Sequence, residues 1–307
     1  MRPPIFTYGE SNDPLQPGRR KSQYYSVTLE DAFKTVRSRP GRYVLVGVPC
    51  FVKAARLVAE RDPVIKERIV FFIGLVCGHM KSHFFGQSLA WQVGVSPERL
   101  DDLDFRVKRE GRPSSDYDFG AKAVGEGAWH YAPTRSLLGG NWGHGAFQPE
   151  ACNFCDDIFA ETADVAFGDA WLPEYRSDWR GTNVVVSRRK FVDEVLEDGA
   201  RRGEITLDEL TPDRVADSQA GNFRHRRLGV SVRSADDKAK GLSVPKKRVP
   251  ASLDGVDRQR LKIIRARRHL SKVSFEIFRK AKEAGDLDVY LEEMGREVKR
   301  YQRIYSP

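Results

Sequence analysis

An α/β fold, with a mixed, partly parallel sheet flanked by helices and followed by a helical C-terminal extension, is the architecture this 307-residue sequence predicts. Three observations carry it. Two apolar runs rich in β-branched residues, Arg42 to Val48 and Ile69 to Val76, are each followed by a helical stretch, Phe51 to Arg61 and about Ser82 to Val93. Strand, helix, strand, helix in that order makes parallel strands whose C-terminal ends share one edge of the sheet. From Leu100 the pattern changes to strand alternation broken by a turn rich in Gly, Ser and Asp, and Asp257 to Tyr305 reads as a charged helical pair divided near Gly285.

Taken in order, Met1 to Arg20 is polar, carries four prolines and reads as an extended lead-in. Thr28-Leu-Glu-Asp31 resembles a capping sequence for a helix through about Val36. After the two strand–helix units, Leu103 to Lys108 and Asp118 to Val124 form a strand and its return, and Trp129 to Leu138 is helical or irregular. Gly139 to Gly145 is too rich in glycine to be regular, and it lacks the Gly-Lys-Ser/Thr ending of a phosphate loop. Asp164 to Gly168 reads as a short strand, Val184 to Ser187 as a buried one, and Lys190 to Arg202 as an amphipathic helix. Ile205 to Leu207 is expected as a small strand, and Thr211-Pro-Asp-Arg214 caps a last short helix. The expected organisation is a lead-in over residues 1–20, a domain over 21–227, a linker over 228–256 and a basic helical tail over 257–307.

The candidate chemistry lies in the four cysteines. Cys152-Asn-Phe-Cys155 presents two soft ligands from one short turn, which suits zinc, an iron–sulfur cluster or a redox dithiol. Cys50 and Cys77 each fall just past the end of a predicted parallel strand and at an expected helix start, where N–H groups and the helix dipole favour a thiolate. The strand at Asp164 follows the Cys152/Cys155 turn, so one centre of four sulfurs would use every cysteine. The competing reading makes Cys50 and Cys77 small buried apolar residues.

Composition bounds the rest. A chain that is 40% hydrophobic is long enough for a substantial core, and no apolar run approaches the roughly 20 residues of a membrane span. No signal-peptide pattern opens the sequence. A cytoplasmic location is expected, where thiols stay reduced and serve as ligands rather than in disulfides. The net charge of +9 is concentrated after Arg224, in Arg224-His-Arg-Arg227, Lys246-Lys-Arg248 and Arg265-Ala-Arg-Arg268. Such a stretch could touch nucleic acid or anionic lipid; without a nucleic-acid motif or an aromatic platform, it reads rather as a solvated helical face.

Several further residues are candidates with ordinary explanations beside them. Arg106 and Lys108 alternate with Phe105 and Val107, so they share one strand face and could grip a diphosphate, or simply face water. Asp169 could orient a ligand or be a turn residue after Gly168; Trp171 and Tyr24 could stack on a ring system or be packing. His79 and His83 have the spacing of a metal pair on a helix, though a solvent-facing histidine is commoner.

With these segments in hand, the sequence resembles the β-subunit family of coenzyme F-420 hydrogenases and dehydrogenases, which also includes 7-hydroxymethyl chlorophyll a reductase and divinyl chlorophyllide reductase. The resemblance runs from Ser22 to about Arg227. It is carried by Ser22-Gln-Tyr24, Gly47-Val-Pro-Cys50, Leu75-Val-Cys-Gly78, Phe105-Arg-Val-Lys108, Cys152-Asn-Phe-Cys155, Ala163-Asp164, Gly168-Asp-Ala-Trp171 and Asp178-Trp-Arg-Gly181, in that order.

The resemblance implies an iron–sulfur flavoprotein oxidoreductase subunit that passes electrons between a 4Fe-4S cluster and FAD, and on to a deazaflavin or another organic acceptor. Cys50, Cys77, Cys152 and Cys155 match the cluster ligands; Ser22, Tyr24, Arg106, Lys108, Asp169 and Trp171 are the residues expected near the flavin. Family members usually carry an upstream Gly-rich segment that helps hold FAD, and this sequence begins after it. Flavin binding is therefore expected to be partial, completed by another chain, or lost. An electron-transfer partner protein or subunit and a small-molecule hydride acceptor are expected as partners, with no specific nucleic acid; self-association is left open. The alternative is a cofactor-poor relative acting as a structural or partner protein, for instance in polysaccharide biosynthesis.

Overall fold

The computed structural model describes Tyr24 and residues 27–305. In chain order these form α1 (Glu30–Ser38), β1 (Tyr43–Gly47), α2 (Pro49–Ala59), α3 (Pro63–Arg68), β2 (Ile69–Leu75), α4 (His83–Gln92), β3 (Leu100–Val107), β4 (Asp118–Ala123) and β5 (Trp129–Pro133). There follow β6 (Val165–Asp169), β7 (Asn183–Ser187), α5 (Lys190–Arg201), α6 (Pro212–Asp217), α7 (Ala220–Phe223), α8 (Gly229–Ala239), α9 (Arg258–Ala284) and α10 (Leu287–Tyr305). The fold is mixed α/β with a partly parallel sheet and a helical C-terminal extension, as the sequence predicts. Contacts divide the described residues into two units, each discontinuous in sequence: one of Tyr24, Val27 and residues 79–154 and 228–305, the other of residues 28–78 and 155–227.

The second of these units holds the parallel sheet, in strand order β1-β2-β6-β7. β1, β2 and β6 are parallel, with Gly47 opposite Gly74 and Leu75 opposite Phe167, and β7 closes one edge antiparallel to β6. Its core gathers Val36, Leu45, Val52, Ala55, Ile65 and Phe72. Close approach is built in: a Cβ at Gly74 would lie 2.3 Å from the Cβ of Ala160, and one at Gly168 would lie 2.4 Å from the Cβ of Val76. Buried Asp164 ties the sheet, accepting from the Phe72 N–H at 2.8 Å and from Arg56 at 3.1 Å. The guanidinium of Arg56 in turn lies 3.9 Å from the centre of the Phe72 ring.

The other unit is built on the antiparallel sheet β3-β4-β5 with α4, α8, α9 and α10. Phe85, Leu89, Phe119, Phe278, Tyr290 and Met294 lie at its centre. Burying one such side chain contributes about 1.5–3 kcal/mol. Gly285 ends α9 in the left-handed region at φ 65°, the cap that turns the chain into α10. The helical pair expected at 257–305 is therefore present, and one stripe of each helix enters the core.

Several local expectations change. Trp129–Pro133 is β5, because it pairs with β4 from Asp118 opposite Pro133 to Lys122 opposite Trp129; its own alternation was too short to show. The stretch that reads as a linker holds α8, with Val230, Val232 and Arg233 buried. α3 is an added short helix capped by Asp62, whose carboxylate accepts from Val64 and Ile65 N–H groups. Residues 205–207 form no strand. β7 is a half-exposed edge strand rather than a buried one. α1 starts at Glu30 behind Leu29 with no side-chain cap; the Thr28 hydroxyl accepts instead from the Glu30 N–H. Thr211 does cap α6, accepting from Arg214. Among the described residues no helix is long and apolar enough to cross a membrane.

Candidate functional site

Cys50 enters through β1 and α2. Val48 is the N-cap of α2 and Pro49 its first residue, a position where proline's fixed φ helps and its missing N–H costs nothing. Cys50 is therefore in the first turn, exposed, at the positive end of an 11-residue helix. Cys77 follows β2, and its N–H donates to the Ile158 carbonyl at 3.1 Å. The parallel pairing of β1 and β2 makes both cysteines leave the sheet at the same edge, as the sequence predicts. The helix start expected at Cys77 is not there. α4 begins only at His83, because the segment between β2 and Ser82 is irregular.

Arg226 takes the place of the helix dipole at Cys77. It is carried by a π-helical turn, Arg224–Leu228, and only 1% of it is exposed. Its Nε donates to the Gly78 carbonyl at 2.5 Å, while its Nη2 donates to the carbonyl of Cys77 at 3.2 Å and to Cys77 Sγ at 3.4 Å. Its Nη1 reaches the Cys155 carbonyl at 3.4 Å. One guanidinium thus joins the backbones of two candidate ligands and donates to one sulfur. Cys155 is half-buried, and its Sγ lies 3.7 Å from the Asp157 carbonyl.

Cys152 belongs to the other unit, in a 3-10 turn over Glu150–Phe154. Its buried sulfur accepts from the Met80 N–H at 3.4 Å. The turn is pinned by Asn153, whose carbonyl accepts from buried Arg233 at 2.9 Å and whose side chain bonds Gln148 and Glu150.

The residues expected near a flavin are placed as follows. Ser22 lies outside the described residues. Tyr24 sits in an aromatic cluster, its ring centre 4.6 Å from Trp142 and 5.2 Å from Phe105. Arg106 and Lys108 share a face: both cationic heads lie over the Tyr117 ring, at 5.2 and 5.6 Å, and the Lys108 amine also donates to the Ser114 carbonyl. In a strand, Phe105 and Arg106 point to opposite faces, so Tyr24 and the two cations lie on different sides of β3. Asp169 ends β6, its carbonyl accepting from Gln219 at 2.7 Å, and Trp171 is 36% exposed.

His79 and His83 do not form a helical pair, since His79 precedes α4. His79 stacks on Trp142 with ring centres 4.4 Å apart, while His83 meets Phe84 edge-on. Burial, with Lys282 adding to it, lowers the His83 pKa.

Two residues escaped the sequence reading. Arg226 lies in a basic run that reads as a solvated face, and only its contacts with residues about 150 positions upstream set it apart. Lys81 is fully buried, donates to the Ala146 carbonyl at 2.5 Å and lies over the rings of Phe85 and Trp142. Burial holds its pKa well below the ordinary lysine value, Arg267 lowers it further, and Cys152 opposes. A lone lysine before a helix carries no sequence signal of burial.

By donor chemistry, four cysteine sulfurs suit a thiophilic metal or an iron–sulfur cluster, and two of them already accept N–H donors. The gathering is less complete: among the described residues, no three His, Cys, Asp or Glu side chains come together as a metal-holding group.

Comparison with known proteins adds the family. None of the curated proteins compared matches the chain. Among solved structures, it is similar to a chain of the F420-reducing [NiFe] hydrogenase complex from Methanosarcina barkeri, at 18% identity and a TM-score of 0.49, over 74% of each chain. The model of the family described as coenzyme F420 hydrogenase/dehydrogenase, C terminus of the beta subunit, matches residues 41–213, a span that takes in all four cysteines and the whole parallel sheet. On that match over more than half its length, the chain belongs to the family defined by the C terminus of the coenzyme F420 hydrogenase/dehydrogenase β-subunit.

Proposed function

We propose that this chain is a redox subunit, a cytoplasmic iron–sulfur oxidoreductase component working with a partner protein, in which Cys50, Cys77, Cys152 and Cys155 hold a 4Fe-4S cluster. The observation that carries the proposal is the Arg226 guanidinium, which donates to Cys77 Sγ while gripping the backbone at Cys77, Gly78 and Cys155. Hydrogen bonds to ligand sulfurs are one of the means by which a protein tunes such a centre. The exit of Cys50 from the same sheet edge supports it, as does the Met80 N–H on Cys152.

When bound, the cluster would supply one-electron transfer; the chain's own residues orient the ligands and donate hydrogen bonds to their sulfurs. FAD, exchanging a hydride with a deazaflavin or other organic acceptor, belongs to the same reading, with Ser22, Tyr24, Arg106, Lys108, Asp169 and Trp171 as its expected neighbours.

Anaerobic purification followed by iron and acid-labile sulfide assay tests it. About four irons and four sulfides per chain are expected, with an electron paramagnetic resonance signal on reduction. About one zinc, or no metal and no signal, overturns the cluster. Flavin is assayed in the same preparation, alone and after reconstitution with FAD. The second reading is a cofactor-poor relative acting as a structural or partner protein. A tight stoichiometric flavin spectrum would remove it.

A further inference from the structure

We propose that the groove between α9 and α10 is a docking site for an acidic amphipathic helix of a partner protein. This inference stands apart from the cluster, because α9 and α10 lie beyond the residues 41–213 that define the family match.

The groove encloses about 300 Å³. On α9 it is lined at 262, 265/266 and 269/270, and on α10 at 297, 300/301 and 304, which is the spacing of one face on each helix. Its floor is apolar, formed by Ala266, Leu270, Tyr301 and Ile304, with Leu270 1% and Tyr301 5% exposed. Its rim carries Lys262, Arg265 and Arg300, all exposed, against a single lining carboxylate, Glu297.

Glu297 is shared, 3.2 Å from His269 and 3.9 Å from Arg300, and Arg265 is held by Asp236 at 2.6 Å. The wider surface has the same sign, since α9 has ten Lys and Arg against two Asp and Glu.

The occupant follows from these features. From Lys262 to Leu270 the lined face is about 12 Å long, two turns of an α-helix. Apolar residues at i, i+3, i+4 and i+7 would meet the floor, and flanking Asp or Glu would meet the cationic rim. A second copy is disfavoured, because a two-fold contact would set Lys262, Arg265 and Arg300 against themselves. A flat anionic membrane would meet the rim without reaching Leu270, and inorganic phosphate would leave the floor unused.

The test uses the full chain and a labelled peptide of about 16 residues with Leu at i, i+3, i+4 and i+7 and Glu elsewhere, read by fluorescence anisotropy. A twin with Lys in place of Glu, inorganic phosphate, and vesicles of phosphatidylcholine with phosphatidylglycerol are run beside it.

Saturable binding of the acidic peptide is expected. It should weaken at least about tenfold in the Lys262→Glu/Arg300→Glu double variant, whose exposed positions leave the circular dichroism spectrum unchanged. It should also weaken in Ala266→Trp, which fills the floor, and on raising salt from about 50 to about 500 mM. Three results would overturn the proposal: no binding of the acidic peptide, equal binding of its Lys twin, or binding insensitive to both sets of substitutions. Direct binding of vesicles or of inorganic phosphate that is lost with the same charges, while the peptide stays unbound, would assign the groove to those anions instead.

Discussion

Arg226 and Cys77 are 149 positions apart, yet a guanidinium nitrogen of the first donates to the sulfur of the second at 3.4 Å and to its carbonyl at 3.2 Å. This contact fixes the irregular segment after β2, which has no helix of its own to order it. It brings the backbones of Cys77 and Cys155 under one planar donor.

Arg226→Met is therefore expected to destabilise its unit by about 2–4 kcal/mol, because the buried carbonyls of Gly78 and Cys77 lose their donor. Arg226→Lys, with one compact donor group in place of a fork, should recover only part of this. Thermal denaturation of the three proteins measures both, and equal midpoints would remove the structural role of the clamp.

Single Cys→Ser substitutions at Cys50, Cys77, Cys152 and Cys155 should each lower iron per chain after anaerobic purification. The buried pair should have the larger effect, Cys77 and Cys152, whose sulfurs accept N–H donors. The Arg226→Lys variant should retain iron with about 10- to 100-fold weaker affinity in a chelator competition. Metal content unmoved by all four serine variants would separate any bound metal from these cysteines.

Gly168→Ala should cost about 1–3 kcal/mol by overpacking, since its Cβ would stand 2.4 Å from the Cβ of Val76, beside the edge from which Cys77 departs. Gly111→Asn provides the control: nothing lies within 4 Å of a Cβ there, and asparagine tolerates the φ of 77°. Chemical denaturation should show a lower midpoint for the first and little change for the second.

Lys81 gives a pH signature. Its folded pKa lies well below the ordinary value of 10.5, so between the two values the unfolded chain binds the extra proton. Stability from this group is complete above the ordinary lysine pKa and is lost as pH falls toward the folded one. Lys81→Met removes that dependence. The melting-temperature difference, variant minus wild type, should be most positive at neutral pH and shrink as pH approaches 10.5. A difference independent of pH would mean that Lys81 does not titrate in this window.

What depends on neighbours along the chain is legible in the residues themselves. The apolar runs at 42–48 and 69–76 with their following helices predict β1, α2, β2 and α4, and their order predicts the parallel pairing. Thr211 marks the cap of α6, and Gly285 the break between α9 and α10. The ordered motifs carried the family, which the match over residues 41–213 bears out. What depends on residues far apart emerges only in the folded chain. Trp129–Pro133 became β5 only because β4 offered a pairing edge, and α8 became ordered only because Val230 and Val232 found a core. Arg226 and Lys81, which composition would send to the surface, are buried because carbonyls or aromatic faces receive them. Local periodicity fixes which face of an element is apolar, whereas the partner that covers it is chosen by the whole chain.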